Sequence, residues 1–537
     1  MKKLCLSFFL LLTTIVFSQQ DAWIYFNAKP NSQFYFDSPL EMLSQRALDR
    51  RLNQNIALDT KDIPIDLSYI RQVKSVEGIT LMAQSKWLNA IHVRGTSVLI
   101  NSLKNFPFVA KVEFADASLN QAGKMAKTLK TKKQDKTQDV EISYAYGNSA
   151  NQLQMFNGHY LHQQNYTGSG KIIAVLDAGF PGVNTAEPFR KIRDNNQILG
   201  GYDFVRRNVD FYSGDQHGTM VLSSMGGYKE NALVGTAPEA SYYLFITEDN
   251  SSENPVEESL WVEAAEKADS LGVDIINTSL GYFDYDNTAY SHTYSQMNGT
   301  TAFMSRGAEI AFSRGMIIVV SAGNEGASVN PHIAVPADAR SVITVGAVSP
   351  TKMKASFSSI GPSFDGRIKP DIMAQGVATV VSDQFGNIVT ANGSSFSSPI
   401  MAGMIACLWQ AFPDKSNGEL SDLIMQSADR YNEPNTNYGY GIPDFSLALA
   451  HGASGNSLAK KYFMAYPNPT DNLISVYFPE NFNEGKVIIY SLLGKKVLEK
   501  RFTNPLGSIS LETLSSGIYI YKIETDAFSK SGKIIKN

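Results

Sequence analysis

Cysteine is nearly missing from this 537-residue chain: there are two, Cys5 and Cys407. Cys5 falls in an apolar leader. Cys407 sits in the apolar run Met401–Phe412 and reads as a small buried hydrophobe rather than a reactive thiol. A disulfide framework is therefore excluded for the chain beyond the leader. That does not exclude export, because a domain with a large core needs no covalent staples. A basic surplus is also lacking. Lys and Arg number 47 against 51 Asp and Glu, a formal net charge of −4. Nucleic acid as the main partner would call for a clear positive excess. Long apolar runs are lacking as well. Leu4–Phe17 is shorter than the roughly 20 residues that span a bilayer, so no transmembrane anchor is expected. It follows Lys2 and Lys3 and gives way to polar residues at Gln19, which reads as a secretory signal cut near Ser18.

What is present divides into four further regions. The length exceeds one ordinary domain, and 43% hydrophobic with 18% charged residues suits soluble globular units. Residues 19–122 mix strand-like runs with a charged helical pattern, Leu40–Leu52, and suggest an α+β unit. Residues 123–143 carry the lysine-rich stretch Gly123–Asp139, sparse in apolar residues, and read as an exposed linker. Over residues 144–452 short apolar runs alternate with helical patterns. Strands are expected at Lys171–Asp177, Val273–Gly281 and Met316–Asn324, and helices at Glu258–Gly272 and Thr301–Gly315. This rhythm predicts an α/β domain, a mostly parallel doubly wound sheet with helices on both faces. Active residues of such sheets gather at the carboxyl ends of strands. Residues 465–537 read as a small β-sandwich, with a hairpin about Leu493-Gly494-Lys495 and a strand at Gly517–Thr525.

Four residues in the α/β region invite a chemical reading, each beside a plainer one. Asp177 ends an apolar strand, where a carboxylate is costly unless paired. It is either a capped loop start or a partner for imidazole. His217, one of seven histidines, opens HGTMVLSSMGG and is either a helix-capping or core histidine, or a base. Ser395 lies in NGSSFSSP ahead of an apolar helix, with Pro399 expected in the first turn. It is either an ordinary N-cap or a nucleophile whose oxyanion would sit at a helix N-terminus. Asn324, in SAGNEG, is either a turn residue or an amide donor to that oxyanion. The stretch is not G-x-S-x-G, which argues against an α/β-hydrolase nucleophile elbow. Taken singly each plainer reading would stand. Together, the chain order Asp, His, Asn, Ser is that of a known serine-protease arrangement.

Residues 144–452 resemble the catalytic domain of subtilases, the subtilisin-like serine proteases. AVLDAGF resembles the aspartate motif, with Ala178 in place of Ser or Thr. HGTMVLSSMGG resembles H-G-T-H-V-A, departing at Met220 and Leu222. VGTAPEA resembles the G-V/I-A-P segment. SAGNEG resembles the asparagine motif. KPDIMAQG resembles K-P-D-V-x-A-P-G, with Gln375 for proline. NGSSFSSP resembles the serine motif, with Ser394 for threonine. NTSLG resembles the segment whose backbone pairs with substrate. The resemblance implies a secreted serine endopeptidase. Its catalytic residues would be Asp177, His217, Ser395 and Asn324, and Ser279, Leu280 and Gly281 would bind protein or peptide substrate. A Glu-Asp-Ser protease of the sedolisin type fits less well, because His217 stands in its own motif. The aromatic, acidic run Tyr282–Tyr290 then borders the cleft.

No metal or organic cofactor is required by the implied chemistry. The resemblance allows structural calcium, for which the sequence identifies no ligands. Residues 19–122 occupy the place of a propeptide, with a stable accessory domain as the alternative. Residues 465–537 resemble the C-terminal sorting domain of type IX secretion, through YPNP (Tyr466–Pro469), YSLLGKKV, LSSGIYIYKI and the basic ending GKIIKN. Export by that machinery to the medium or cell surface is expected, with a generic adhesive module as the alternative. A binding protein on an inactive protease scaffold, or a surface adhesin, are the competing functions. Substrate preference and oligomeric state are left open.

Overall fold

A computed structural model describes residues 19–120 and 144–453, and most of 464–536. The expected signal (1–18), the lysine-rich stretch and most of YPNP lie outside the described residues.

The α/β region is organised by seven parallel strands: β1 Ile172–Asp177, β2 Ile198–Asp203, β3 Ser241–Ile246, β4 Ile275–Thr278, β5 Ile317–Ser321, β6 Ile343–Val348 and β7 Ile372–Gln375. Their order across the sheet is β7-β6-β5-β4-β1-β3-β2. Succession therefore reverses beside β1, the position at which doubly wound sheets open a crevice. Within β1, Ile173 and Val175 face one apolar core while Ala174 and Leu176 face the other. Both faces are covered, so the strand reads as an unbroken apolar run rather than an alternating one.

Four helices cover the faces: α1 His217–Gly226, α2 Val256–Leu271, α3 Phe303–Ser313 and α4 Ser394–Ala411. Helices α1 and α4 pack on the face of Ile173, and α2 and α3 on the other. The expected helices at 258–272 and 301–315 are thus present with ends shifted by about two residues, as frayed termini allow. Pro399 differs from expectation. Helix α4 begins at Ser394, which places the proline inside the helix rather than in its first turn.

Residues 19–120 form a four-stranded antiparallel sheet, in the order Thr80–Ser85, Ala90–Thr96, Gln19–Phe26, Val109–Phe114. One face carries its own core with the helices Leu67–Lys74 and Ser97–Ser102. The other rests on α2 and α3. Trp23 stacks on Phe303 at 5.1 Å and donates to the Ser259 hydroxyl at 2.8 Å. Buried Glu266 accepts from the Ser85 hydroxyl at 2.6 Å and from the backbone of Lys86 and Trp87. Arg51, itself buried, bridges Asp62 and Asp269.

The C-terminal residues form two antiparallel sheets. Three strands (Met464–Tyr466, Leu473–Tyr477, Leu506–Ser510) face four (Lys496–Phe502, Gly485–Ser491, Gly517–Thr525, Ser529–Lys536). Ile474, Val476 and Ile509 of one meet Val487, Ile489, Ile523 and Ile534 of the other in a closed core. This is the β-sandwich expected from the short alternating strands. Among the described residues, no helix is long and apolar enough to cross a membrane.

Candidate active site

Three strand ends and two helix starts converge where the sheet order reverses. Asp177 is the last residue of β1 and is fully buried. His217 opens α1, and its ring Nδ1 lies 2.7 Å from Asp177 Oδ1. That oxygen also accepts the Ala178 backbone N–H at 2.8 Å. The close approach explains the glycine after the histidine. A Cβ on Gly218 would lie 2.4 Å from the Gly179 carbonyl oxygen and 2.9 Å from Asp177 Cβ. Asp215 accepts the backbone N–H of His217 at 2.8 Å, satisfying one of the first-turn donors of α1. Oδ2 of Asp177 is buried and has no hydrogen-bond partner among the described residues. Ala178 has no hydroxyl to offer it.

Burial opposes a charge on His217. The Asp177 carboxylate outweighs that effect by charge and hydrogen bond, with Glu248 and Asp215 adding to it. Together they push the imidazole up to about 9.

Ser395 is the second residue of α4, so its N–H belongs to the first turn and has no intrahelical acceptor. Gly393, ahead of the helix, holds φ +149, which favours glycine. The Ser395 hydroxyl donates to the Ser279 carbonyl at 3.3 Å. Asn324 follows β5. Its Oδ1 accepts from the Ser394 N–H at 2.9 Å and the Ser394 hydroxyl at 3.0 Å. The amide is thereby oriented, with its NH₂ end left to donate elsewhere. Ser279, Leu280 and Gly281 continue β4 beyond the last paired residue, Thr278. His217, Ser279, Leu280, Gly281, Asn324 and Ser395 line one cleft of about 980 Å³, with Asp177 buried behind it. The aromatic run enters it through Tyr282, Phe283 and Asp284, while Tyr285 is buried and donates to Glu258 at 2.9 Å.

The structure adds roles that the residue pattern did not suggest. A proline inside a helix cannot donate to the carbonyl four residues earlier. For Pro399 that carbonyl is Ser395, and it accepts instead from the Ser279 hydroxyl at 2.8 Å. Ser279 accepts in turn from the Asn277 amide at 3.2 Å, and the Ser398 hydroxyl donates to Asn277 at 2.9 Å. Ser279 is thus tied to the start of α4 through its side chain as well as lining the cleft. Pro399 was the available signal, once it is placed in the helix interior. Ser394, noted only as a departure from threonine, is what holds Asn324. Glu248, two residues past β3, lines the cleft near His217 and carried no sequence signal. Gln375 accepts from the Asn151 amide at 2.7 Å and donates to the Val377 carbonyl at 3.2 Å, a scaffold role away from the cleft. Cys407 is fully buried, and burial pushes its thiol well above the usual range, as an inert core thiol requires. Among the described residues no group of three or more His, Cys, Asp or Glu is placed to hold a metal ion.

Chemically, such a site can move a proton from a hydroxyl to an imidazole held by a carboxylate, and can meet a developing oxyanion with a helix N–H and an amide. The family comparisons agree with that chemistry. The model of the subtilase family matches residues 168–441. That of the "Peptidase S8 propeptide domain, Bacteroidota" matches 21–137, and that of a secretion system C-terminal sorting domain matches 464–537. Subtilisin NAT of Bacillus subtilis subsp. natto is 28% identical over 382 residues, 70% of this chain and 85% of its own length. Subtilisin of Bacillus pumilus is 30% identical over 291 residues, 54% and 94% respectively. Serine protease AprX of Bacillus subtilis (strain 168) is 30% identical over 308 residues, 52% and 66%. The chain belongs to the subtilase family: it is a subtilisin-like serine endopeptidase with a propeptide and a C-terminal sorting domain, exported to the medium or the cell surface.

Proposed function

We propose that the protein hydrolyses peptide bonds of protein or peptide substrates through an acyl-enzyme on Ser395. The observation that carries this reading is the 2.7 Å bond between His217 and buried Asp177, on a ring that lines the same cleft as Ser395 and Asn324. His217 takes the Ser395 proton as the hydroxyl attacks the substrate carbonyl. Asp177 holds the ring tautomer and stabilises the imidazolium. The Ser395 N–H and the Asn324 amide hold the oxyanion. His217 then protonates the leaving amine, and water releases the acyl group by the reverse sequence. The backbone of Ser279–Gly281 aligns the substrate chain. Every proton in this scheme passes between side chains, substrate and water. Structural calcium, known in the family, would take no part in it.

The imidazole must be neutral to accept the serine proton. Since its folded value is raised to about 9, the active form gains as pH rises through that range and is lost on acidification. Serine-directed labelling by a fluorophosphonate, timed from pH 4 to pH 10, should rise with an inflection well above the ordinary 6.5 of imidazole. Labelling fastest near pH 4 would remove His217 from its role. Absence of labelling at every pH would favour an inert binding scaffold.

We propose further that residues 1–18 are the signal, 19–122 the propeptide, 123–143 the linker that is cut, 144–452 the mature catalytic domain and 465–537 the type IX sorting signal. The C-terminal sandwich has its own core, and no candidate catalytic residue lies in it. Deleting 465–537 should leave hydrolysis intact in protein made in the cytosol of a foreign host. In the native host the truncated protein should stay in the periplasm. Its normal delivery to the medium would refute the sorting role.

A further inference from the structure

The cleft that holds Ser395 is one-sided in charge. Asp215, Glu248, Glu253, Asp284 and Glu325 line it, and among the described residues no lysine or arginine does. These carboxylates are not gathered for a metal ion: among the described residues no set of three or more acidic or His/Cys side chains is placed to hold one. They share the lining of the 980 Å³ cleft with Ser279–Gly281, which continue β4 beyond its last paired residue, an arrangement that suits an extended polypeptide.

Glu248 is the carboxylate with the most definite setting. It is half-buried and follows β3 closely, and its side chain has no hydrogen-bond partner among the described residues. Burial raises its carboxyl to about 8, reinforced by the negative charges of Asp177, Glu253 and Asp215 and opposed by His217. An acid whose charged form is disfavoured first by burial and then by neighbouring negative charge is a site short of a cation. The loop that carries Glu253 beside it is clamped in place. Glu257, in the first turn of α2, accepts the backbone N–H groups of Asp249 at 2.9 Å and Asn254 at 3.0 Å.

We propose that this cleft selects polypeptides bearing a lysine or arginine close to the scissile bond, with Glu248 as the residue that reads that charge and Glu253 in support. The proposal rests on the proteolytic reading above and names its substrate class. A basic side chain entering beside His217 supplies the counter-charge that Glu248 lacks and favours its charged form. An acidic side chain at the same place meets only like charge and is rejected.

The test uses the protein as secreted, at pH 9. Its substrates are quenched fluorescent peptides identical except that arginine, norleucine or glutamate occupies, in turn, each of the four positions before the scissile bond. A charge-assisted contact of this kind should raise kcat/KM for arginine over norleucine about tenfold or more at one position. Glutamate there should be the poorest. Glu248→Gln should shrink the arginine-to-norleucine ratio to about threefold or less. Glu253→Gln should shrink it less, and tests the cleft independently should Glu248→Gln fail to fold. Equal cleavage of arginine and norleucine peptides at every position overturns the proposal while leaving proteolysis intact. A basic preference that survives both substitutions overturns the assignment to Glu248 and Glu253. No cleavage of any peptide, together with no fluorophosphonate labelling, overturns the proteolytic reading and the proposal with it.

Discussion

Ser395→Ala should lose about six orders of magnitude in kcat and accumulate as a precursor that still carries residues from about Gln19. Loss of the nucleophile in subtilisin, a relative, costs about 2 × 10⁶ in kcat, and the same residue types, Asp177, His217, Asn324 and Ser395, meet at this cleft. The fold should survive. The change deletes one oxygen whose hydrogen bond to the Ser279 carbonyl is a long one, at 3.3 Å, and alanine is well tolerated in a helix. The Ser395 carbonyl, which Ser279 satisfies, is untouched. Processing should stop because members of this family commonly make the first cut themselves, and the lysine-rich sequence Gly123–Asp139 is the expected place for that cut. Ser394→Ala is the control. It removes the hydroxyl that bonds Asn324 Oδ1 and the Gly323 carbonyl, but the Ser394 N–H still holds Asn324 at 2.9 Å. Its activity should fall far less, and it should mature. Intact mass after expression without other proteases decides the matter. Normal maturation of Ser395→Ala, with Ser394→Ala or Ser397→Ala stalled, would move the nucleophile. Equal maturation of all three would end the case for self-processing.

The parts of this site that were legible in the sequence are those a single segment encodes. An apolar strand ending in aspartate, a histidine before a glycine, and a serine ahead of an apolar helix each announce local structure. The parts that were not legible depend on meetings between distant segments. The Ser279 hydroxyl reaches the Ser395 carbonyl across 116 residues of chain, and its need arises only because α4 starts early enough to enclose Pro399. Helix starts are among the features least fixed by local pattern, since the first turn makes no intrahelical N–H bonds. Ser394 looked like a minor swap because its partner, Asn324, lies 70 residues away. Glu248 was silent because a glutamate in a polar loop reads as solvated surface. Only the reversal of strand order beside β1 turns that loop into the cleft wall. The fold class followed from the alternation of strands and helices. The docking of the N-terminal sheet on α2 and α3 did not, because it uses scattered side chains such as Trp23, Ser85 and Arg51.

Asp177→Asn should lower kcat by about 10⁴ and move the acid limb of the pH profile down from about 9 to the ordinary imidazole range or below. In subtilisin, loss of this carboxylate costs about 3 × 10⁴. In this chain the cause can be separated. An asparagine is free to present either oxygen or NH₂ to the ring. At position 177 the oxygen nearest His217 also accepts the Ala178 N–H. An NH₂ turned that way would face that donor, so the amide oxygen stays in place and the ring keeps its tautomer. Its NH₂ then occupies the site of Oδ2, where the carboxylate has no partner among the described residues. An unsatisfied buried amide there costs about 1–3 kcal/mol, offset by removal of a buried charge, so the fold should persist. What is lost is the negative charge that stabilises the imidazolium as the serine proton arrives. Because the same charge raises His217 in the free protein, rate and pH profile must move together. Thermal unfolding shows that the variant is folded, and kcat and kcat/KM across pH 5–10 read both effects. A loss under tenfold would mean that Asp177 does not serve His217 in catalysis. A large loss with the acid limb still near 9 would mean that Glu248 and Asp215, not Asp177, set the charge state of the ring.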